Sequence, residues 1–123
     1  MAINSAVEAD LFGQVNGEFI QGRQISGTGG SADFARAARF SRRGRSIIAL
    51  PSAVKGKSRI VPLLAAGAVT QPRSDADIVV TEHGLARLRH LSIDRRAEAM
   101  IAIADPLHRA ELAAAWQKIR AGL

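Results

Sequence analysis

The 123-residue sequence has no cysteine, no tyrosine and one tryptophan, and aromatic residues make up 4% of it. Without cysteine, the chain has neither a disulfide framework nor a thiolate metal site, which favours a cytoplasmic protein. No apolar run reaches the roughly 18 residues of a membrane span. The N-terminus also lacks the basic and apolar regions of a signal peptide. These absences predict a protein with no membrane segment and no bound metal.

Hydrophobic residues make up 47% of the chain and charged residues 23%, and the formal net charge is +6. This apolar content is too high for a disordered basic tail. The length is sufficient for one domain with a core of its own, so we expect residues 1–123 to form a single domain. The basic excess predicts an anionic partner.

The first two thirds of the chain carry strand signals. Short apolar stretches separated by glycines predict a run of strands at AINSAV, LFGQV and EFIQG. Two further strands are predicted at residues 46–50 and 77–82, which are short, apolar and bounded by turn residues. Between them and the first strands, residues 31–43 are predicted to form a helix with Ser31 as its N-cap.

The last third carries helix signals. From Gly84 onward the apolar spacing becomes helical, and Ser92 is the expected N-cap of one helix. Asp105 followed by Pro106 is typical of the start of a second helix. The expected buried face of that helix consists of Leu112, Trp116, Ile119 and Leu123. Together these elements predict an α/β fold, with a mixed sheet, flanking helices and a C-terminal helical pair.

The segment Gly27-Thr28-Gly29-Gly30 is the sharpest loop signal, and it lies just before the predicted helix. Glycines let an anion approach the backbone, and the helix N-terminus supplies free N–H groups. A dinucleotide site also needs an acidic residue about 20 positions further on. Because no Asp or Glu occurs between Asp33 and Asp75, an NAD site is not expected. The loop is therefore either a plain tight turn or a site for another anion.

The loop at residues 51–58, PSAVKGKS, resembles the phosphate-binding loop of ATPases except at its first position, which is Pro51 instead of glycine. Such a loop continues directly into a helix. Here the chain continues as RIVPLL, and Pro62 is incompatible with a helix interior. An ATPase site is therefore not expected.

Basic residues are concentrated in one stretch whose only carboxylate is Asp33. They are Arg36, Arg39, Arg42, Arg43, Arg45, Lys55, Lys57 and Arg59. They form either a solvated face or a phosphate site, for nucleic acid or for a small molecule. Because aromatic residues that could stack on bases are scarce, a phosphate-bearing small molecule is favoured and nucleic acid is not.

Glu82 is the most site-like carboxylate, because it ends a predicted buried strand beside His83. The simpler interpretation, which we favour, is a structural residue paired with a nearby arginine. The three histidines, His83, His90 and His108, lack the spacing of metal ligands. Each is expected to be a surface or structural residue.

Six segments in a fixed order carry a family resemblance: INSAVEADLFGQVN, SGTGGSADFARAARFS, RSIIALPS, SRIVPLL, GAVTQPRSDADIVVTEHGLARLR and LSIDRRAEAMIAIADPLHRAELAAA. Together they resemble the C-terminal part of the acetyl-CoA hydrolase/transferase family, which includes succinate, acetate and 4-hydroxybutyrate CoA-transferases. The resemblance covers nearly the whole chain. It implies an α/β CoA-transferase domain that acts on acyl-CoA and small carboxylates, with coenzyme A as a substrate.

The resemblance also implies a mechanism in which a glutamate attacks the acyl-CoA thioester and CoA later passes to an acceptor carboxylate. The backbone N–H groups of Gly29 and Gly30 are implied as oxyanion and CoA contacts. Asn4 is implied to face the same site, and Lys55 to contact the phosphates of CoA. In the family the glutamate lies upstream of the INSA element. The resemblance therefore implies no catalytic nucleophile in this sequence and a missing N-terminal half.

Two departures from the family pattern affect this interpretation. The loop SAVKGKSRIV is shorter than the STAKGG loop of the family, and His90 stands where glycine is usual after LR. Three hypotheses remain open: an enzyme domain that is active only with its missing half, a chain that binds CoA or a partner without chemistry, and a nucleic-acid-binding domain. Apolar surface normally covered by the missing half predicts self-association or pairing with a chain that carries that half.

Overall fold

A computed structural model describes residues 2–17, 19–20, 23–24, 46–64 and 77–123. The strands within these ranges are β1 Ala2–Ser5, β2 Glu8–Asp10, β3 Val15–Asn16, β4 Phe19–Ile20, β5 Arg23–Gln24, β6 Ser46–Ala49, β7 Ala53–Val54, β8 Lys57–Ser58, β9 Ile60–Val61, β10 Ile78–Thr81 and β11 Gly84–Arg87. The helices are α1 Ile93–Ala102, a short 3-10 helix Pro106–His108, and α2 Arg109–Ala121. The predicted helix over 31–43 and the glycine-rich loop lie outside the described residues.

The main sheet has four strands in the order β1-β6-β10-β11. Strands β1, β6 and β10 are parallel, whereas β11 returns antiparallel to β10. Smaller sheets are formed by β3-β2-β9, by β4-β5 and by β7-β8. The predicted α/β architecture with a mixed sheet and a C-terminal helical pair is confirmed.

One face of the main sheet packs against the core. The register aligns Asn4, Ile48, Val79 and Ala86 across the four strands, so their side chains share this face. Ile48 and Val79 are completely buried, and Ala86 is 3% exposed. Burying each large apolar side chain contributes about 1.5–3 kcal/mol. This face therefore supplies the centre of the hydrophobic core.

Both C-terminal helices contribute to the same core. Ala97 and Met100 of α1 are buried, as are Leu112 and Trp116 of α2. The Trp116 indole packs edge-on against Phe12 with ring centroids 5.4 Å apart. The predicted buried face is confirmed for Leu112 and Trp116, and the partly buried Ile119 also packs against the core. The prediction for Leu123 is wrong: α2 ends at Ala121, and Leu123 is 74% exposed.

The predicted caps of both helices are confirmed. The Ser92 hydroxyl accepts a hydrogen bond from the N–H of Arg95 at the start of α1. The Asp105 carboxylate accepts one from the N–H of Leu107, and Pro106 is the first residue of the 3-10 helix that leads into α2. Each side chain satisfies an N–H group that has no partner inside the helix.

The helical pattern predicted from Gly84 onward is wrong for the first four residues, which form strand β11. Thr81 pairs with Gly84 across a hairpin whose turn holds Glu82 and His83. Gly84 has φ +144°, a conformation that L side chains rarely adopt. The strand then alternates with period two, since Ala86 is buried while the residues on either side of it are exposed. Hydrogen-bond pairing with β10 therefore makes residues 84–87 a strand, and the helical pattern begins only at Ile93.

The predicted strand at LFGQV is wrong in part, because its first four residues form a turn between β2 and β3. Oδ1 of the completely buried Asp10 accepts hydrogen bonds from the N–H groups of Phe12 and Gln14, both at 3.0 Å. Its Oδ2 accepts from Nε2 of Gln14 at 2.7 Å and from the N–H of Leu64 at 3.2 Å. Burial nevertheless raises the pKa of Asp10. This carboxylate ties the β2–β3 turn to the segment that follows β9.

Candidate functional site

The candidate site lies where the parallel strands of the main sheet end. Strands β1, β6 and β10 run in the same direction, so Ser5, Ala49 and Thr81 reach the same edge. The pairing continues just beyond the strands: the N–H of Ala6 donates to Ala49 O at 3.2 Å, and that of Leu50 to Val80 O at 3.1 Å. In open α/β sheets, ligands bind beyond the carboxyl ends of the strands. This edge is therefore the expected ligand site.

Asn4 lies one residue before this edge, near the end of β1. It pairs with Ile48, and its half-buried side chain lies on the packed face of the sheet. A side-chain amide offers two N–H donors and one acceptor. Among the described residues, the Asn4 side chain has no hydrogen-bond partner.

Glu82 follows β10 at the same edge and contacts the loop after β6. Its Oε1 accepts a hydrogen bond from the N–H of Ser52 at 2.8 Å. Hydrogen bonding from Ser52, chiefly from its N–H group, lowers the pKa of Glu82. The expected pairing with an arginine is wrong within the described part of the chain, because the partner is Ser52. Glu82 therefore fixes the start of the loop at residues 51–58.

This loop forms a β-hairpin instead of a phosphate-binding loop. Strands β7 and β8 are joined by Lys55 and Gly56, which have φ +52° and +77°. Positive φ at both central residues is the property of a type I′ turn, which suits the twist of a two-residue hairpin. No helix follows, since the chain continues into β9. The loop thus differs from a phosphate-binding loop of ATPases, which continues directly into a helix.

The predicted site residues do not all come together in the described structure. Asn4 lies at the carboxyl edge, whereas Lys55 is exposed at the tip of the hairpin. Gly29 and Gly30 lie outside the described residues, so their predicted roles stay predictions. Within the basic stretch Lys57 is exposed like Lys55, and Arg59 is half-buried. The five arginines from Arg36 to Arg45 also lie outside the described residues.

The histidines occupy turn and surface positions. His83 and His90 are exposed, and His90 has φ +67°, a backbone conformation that glycine adopts more readily than other residues. Nε2 of His108 lies 3.1 Å from Gly56 O, a contact that sequence reasoning missed because the two residues are 52 positions apart.

Within the described ranges, no three His, Asp or Glu side chains are grouped so that they could hold a metal ion. None of the described helices is long and apolar enough to cross a membrane.

The fold and the edge site define an α/β domain with a candidate ligand site beyond its parallel strands. Comparison with known proteins identifies its family. Residues 1–116 match the acetyl-CoA hydrolase/transferase C-terminal domain. The chain therefore belongs to this family.

Relatives in the family include both transferases and hydrolases. The chain is 50% identical over 121 residues to the 4-hydroxybutyrate coenzyme A transferase of Clostridium kluyveri. This alignment covers 96% of the present chain and 28% of the transferase. It is 44% identical over 108 residues to the acetyl-CoA hydrolase of Candida albicans, covering 82% of this chain and 19% of that protein. RipA from Yersinia pestis superposes with a TM-score of 0.88 at 46% identity, covering 96% of this chain and 27% of that chain. The chain thus spans 28% or less of the length of these relatives.

Proposed function

We propose that this chain is the part of an acyl-CoA hydrolase or CoA-transferase that binds the CoA thioester and stabilises the oxyanion formed from its carbonyl group. The supporting observation is Asn4, whose amide has no partner among the described residues and lies at the edge where β1, β6 and β10 end. Acyl-CoA and small carboxylates are the proposed substrates. The chemistry involves coenzyme A as a substrate and needs no metal.

In the proposed reaction, a glutamate oxygen bonds to the thioester carbonyl carbon, and negative charge develops on the carbonyl oxygen. The Asn4 amide and the N–H groups of Gly29 and Gly30 donate hydrogen bonds to this oxygen. Collapse expels the CoA thiolate and leaves an acyl-glutamyl anhydride. The thiolate then attacks the glutamyl carbonyl and releases the acyl carboxylate, which leaves a glutamyl-CoA thioester. Loss of one such donor typically costs about 100- to 1,000-fold in turnover.

The attacking glutamate is proposed to lie in a chain segment that precedes the INSA element. Two glutamates of the described residues have other partners. Oε1 of Glu8 accepts from Nδ2 of Asn16 at 3.3 Å, and Glu82 holds the N–H of Ser52. The exposed Lys55 at the hairpin tip is proposed to contact CoA phosphates, because a flexible ammonium group binds phosphate as a point charge.

Residues 1–123 are proposed to act as one domain that associates with a second copy or with a chain carrying the N-terminal half. Supporting this, Ile3 and Leu85 lie on the sheet face opposite the core, and they are 65% and 52% exposed. Sheets built from parallel strands are normally covered on both faces. A cytoplasmic location is proposed as well, on the basis of the cysteine-free sequence.

Calorimetric titration with CoA and acetyl-CoA tests the binding role, and thioester cleavage tests the chemistry. We expect the chain to bind acetyl-CoA and Asn4→Ala to weaken that binding, because the carbonyl oxygen loses a donor. Ser5→Ala, which changes an exposed neighbour in β1, serves as the control. We expect no cleavage by this chain alone. Turnover by the chain alone would contradict the absence of the nucleophile, and failure to bind any CoA compound would refute the proposed function.

A further inference from the structure

A small cavity of about 170 Å³ lies at the edge of the main sheet where β10 begins and β11 ends. It is lined by Asp77, Ile78, Arg87 and Arg89. The candidate thioester site lies beyond Thr81, at the other end of β10. At about 3.3 Å per strand residue, roughly 10 Å of sheet separates the two places. The cavity is smaller than the roughly 300 Å³ at which pockets for drug-sized ligands begin, so it admits only a small group.

Strand pairing places both arginines next to Asp77. Arg87 pairs with Ile78, and the N–H of Leu88 donates to Asp77 O at 2.7 Å, so the pairing extends one residue beyond the strands. Arg89 follows directly, and its Nη2 lies 3.2 Å from Oδ2 of Asp77. Both atoms are buried, although their geometry is not that of a hydrogen bond. The Arg89 side chain is half-buried and lines the cavity, so Asp77 orients this arginine without removing it from the cavity.

The side chains that line the cavity carry two positive charges and one negative charge. The buried Asp77 is the counterion of Arg89. Arg87 is exposed, and it has no ion-pair partner in the part of the chain that the structure describes. Two neighbouring guanidinium groups repel each other, and an anionic group placed between them is attracted to both. The cavity therefore has a surplus of one positive charge that suits an anion.

The charge and shape of the cavity favour a carboxylate over other small anions. A guanidinium is a planar fork whose parallel N–H groups match the two oxygens of a carboxylate. A single negative charge balances the surplus, whereas the Asp77 carboxylate repels the second charge of a phosphate dianion. The buried Ile78 gives the cavity an apolar wall for the carbon atoms that bear the carboxylate.

We propose that this cavity binds a carboxylate group between Arg87 and Arg89, with Asp77 as the residue that positions Arg89. The carboxylate belongs to a free small acid or to an acidic side chain of a partner protein, and both present the same group to the arginines. The inference goes beyond the proposed function and does not depend on it, because Asn4 and the thioester edge lie at the other end of the parallel strands.

NMR titration of the arginine Nε–H signals tests the site and identifies the source of the carboxylate. The probes are sodium acetate and the blocked peptide acetyl-Ala-Glu-Ala-amide, with sodium chloride at matched ionic strength and the glutamine peptide as references. We expect a carboxylate probe to shift the Arg87 and Arg89 signals to saturation, and neither reference to do so. Tighter binding of the glutamate peptide than of acetate identifies a partner side chain. Equal or weaker binding of the peptide identifies a free acid.

Three variants separate charge from geometry. We expect Arg87→Gln to weaken the carboxylate probe by about ten-fold, because one charge-assisted contact is lost. Arg87→Lys keeps the charge but not the planar fork, so its loss should be smaller, about three-fold. The matched control is Arg95→Gln, which removes the same charge from an exposed position on α1 outside the cavity and should leave the affinity unchanged.

Two results would overturn the assignment: no saturable shift with either carboxylate probe, or equal affinity of Arg87→Gln and the unmodified chain. Tighter binding of inorganic phosphate than of both carboxylate probes would overturn the ligand class. The arginine signals report on this cavity, whereas calorimetry with acetyl-CoA reports on the thioester edge. Failure of the carboxylate site and failure of the proposed function are therefore observed separately.

Discussion

The two faces of the four-stranded sheet carry similar apolar residues, but apolar side chains of the outer strands β1 and β11 are exposed on only one of them. On that face the central residue Ile78 is 7% exposed. On the packed face, Ile48 and Val79 are completely buried beneath the C-terminal helices. On the other face, Ile3 and Leu85 remain 65% and 52% exposed. Apolar side chains stabilise the folded chain only to the extent that they leave water. Burial on the packed face therefore contributes more to the stability of this chain than the exposed side chains of the other face.

Truncation of one residue on each face should give the largest contrast. We expect Ile48→Ala to lower the free energy of unfolding by about 2–5 kcal/mol, because it removes buried contacts and leaves a cavity. Leu85→Ala on the open face should cost about 0.5 kcal/mol or less. Urea unfolding of both variants measures the contrast. Equal losses would show that the open face is covered in the folded chain.

The buried carboxylate Asp10 and the exposed carboxylate Glu82 should affect the pH dependence of stability in opposite directions. Burial raises the pKa of Asp10 above its ordinary value of 3.8. Its contribution to stability is therefore complete below 3.8 and is lost as the pH rises through the raised value. Hydrogen bonding from Ser52 lowers the pKa of the exposed Glu82 below 4.5. Its contribution is present above 4.5 and is lost as the pH falls through the lowered value.

Urea unfolding between pH 3 and pH 7 should show these opposite signs. Asp10→Asn should be destabilising by about 1–3 kcal/mol, since an amide NH₂ cannot accept from Leu64 and Gln14. Its deficit relative to the unmodified chain should grow as the pH falls. The deficit of Glu82→Gln should instead shrink as the pH falls. The same trend in both variants would contradict the assigned pKa directions.

A stabilising effect of small size is predicted for an exposed turn. His90 has φ +67°, which disfavours a residue with a Cβ atom. We expect His90→Gly to raise the free energy of unfolding by about 0.5–1 kcal/mol, because relief of strain exceeds the added freedom of the unfolded chain. His83→Gly is the control, since His83 is exposed in a turn without positive φ. Thermal unfolding checks both, and stabilisation by the control alone would contradict the explanation.

Local sequence signals predict where strands and helices lie, but they do not predict which of these elements pack against each other. Residues 46–50 and 77–82 were short, apolar and bounded by turns, and they form β6 and β10. Ser92 and Asp105 cap helices because their side chains reach N–H groups two or three residues away. The helical pattern expected from Gly84 onward fails at residues 84–87, because these residues pair with β10 and the spacing of apolar residues does not reveal that pairing.

The candidate site was predictable only in part. The family resemblance pointed to Asn4 and Lys55, but the distance between the edge and the hairpin tip depends on the fold. Glu82 was recognised as site-like, yet its partner Ser52 lies 30 positions away in sequence. A hydrogen bond joins Nε2 of His108 to Gly56 O, although the two residues are 52 positions apart in sequence. Contacts over such separations are fixed by strand order and register, which residue spacing does not encode.

The sequence by itself determined the family, the α/β class, the helix caps and the basic character of the loops. Each of these depends on residue identity and on neighbours close in the chain. Only the tertiary structure decided which sheet face is buried, that Glu82 holds Ser52, and that His108 contacts the hairpin. The physical reason is that burial and hydrogen bonding act between groups that chain topology brings together.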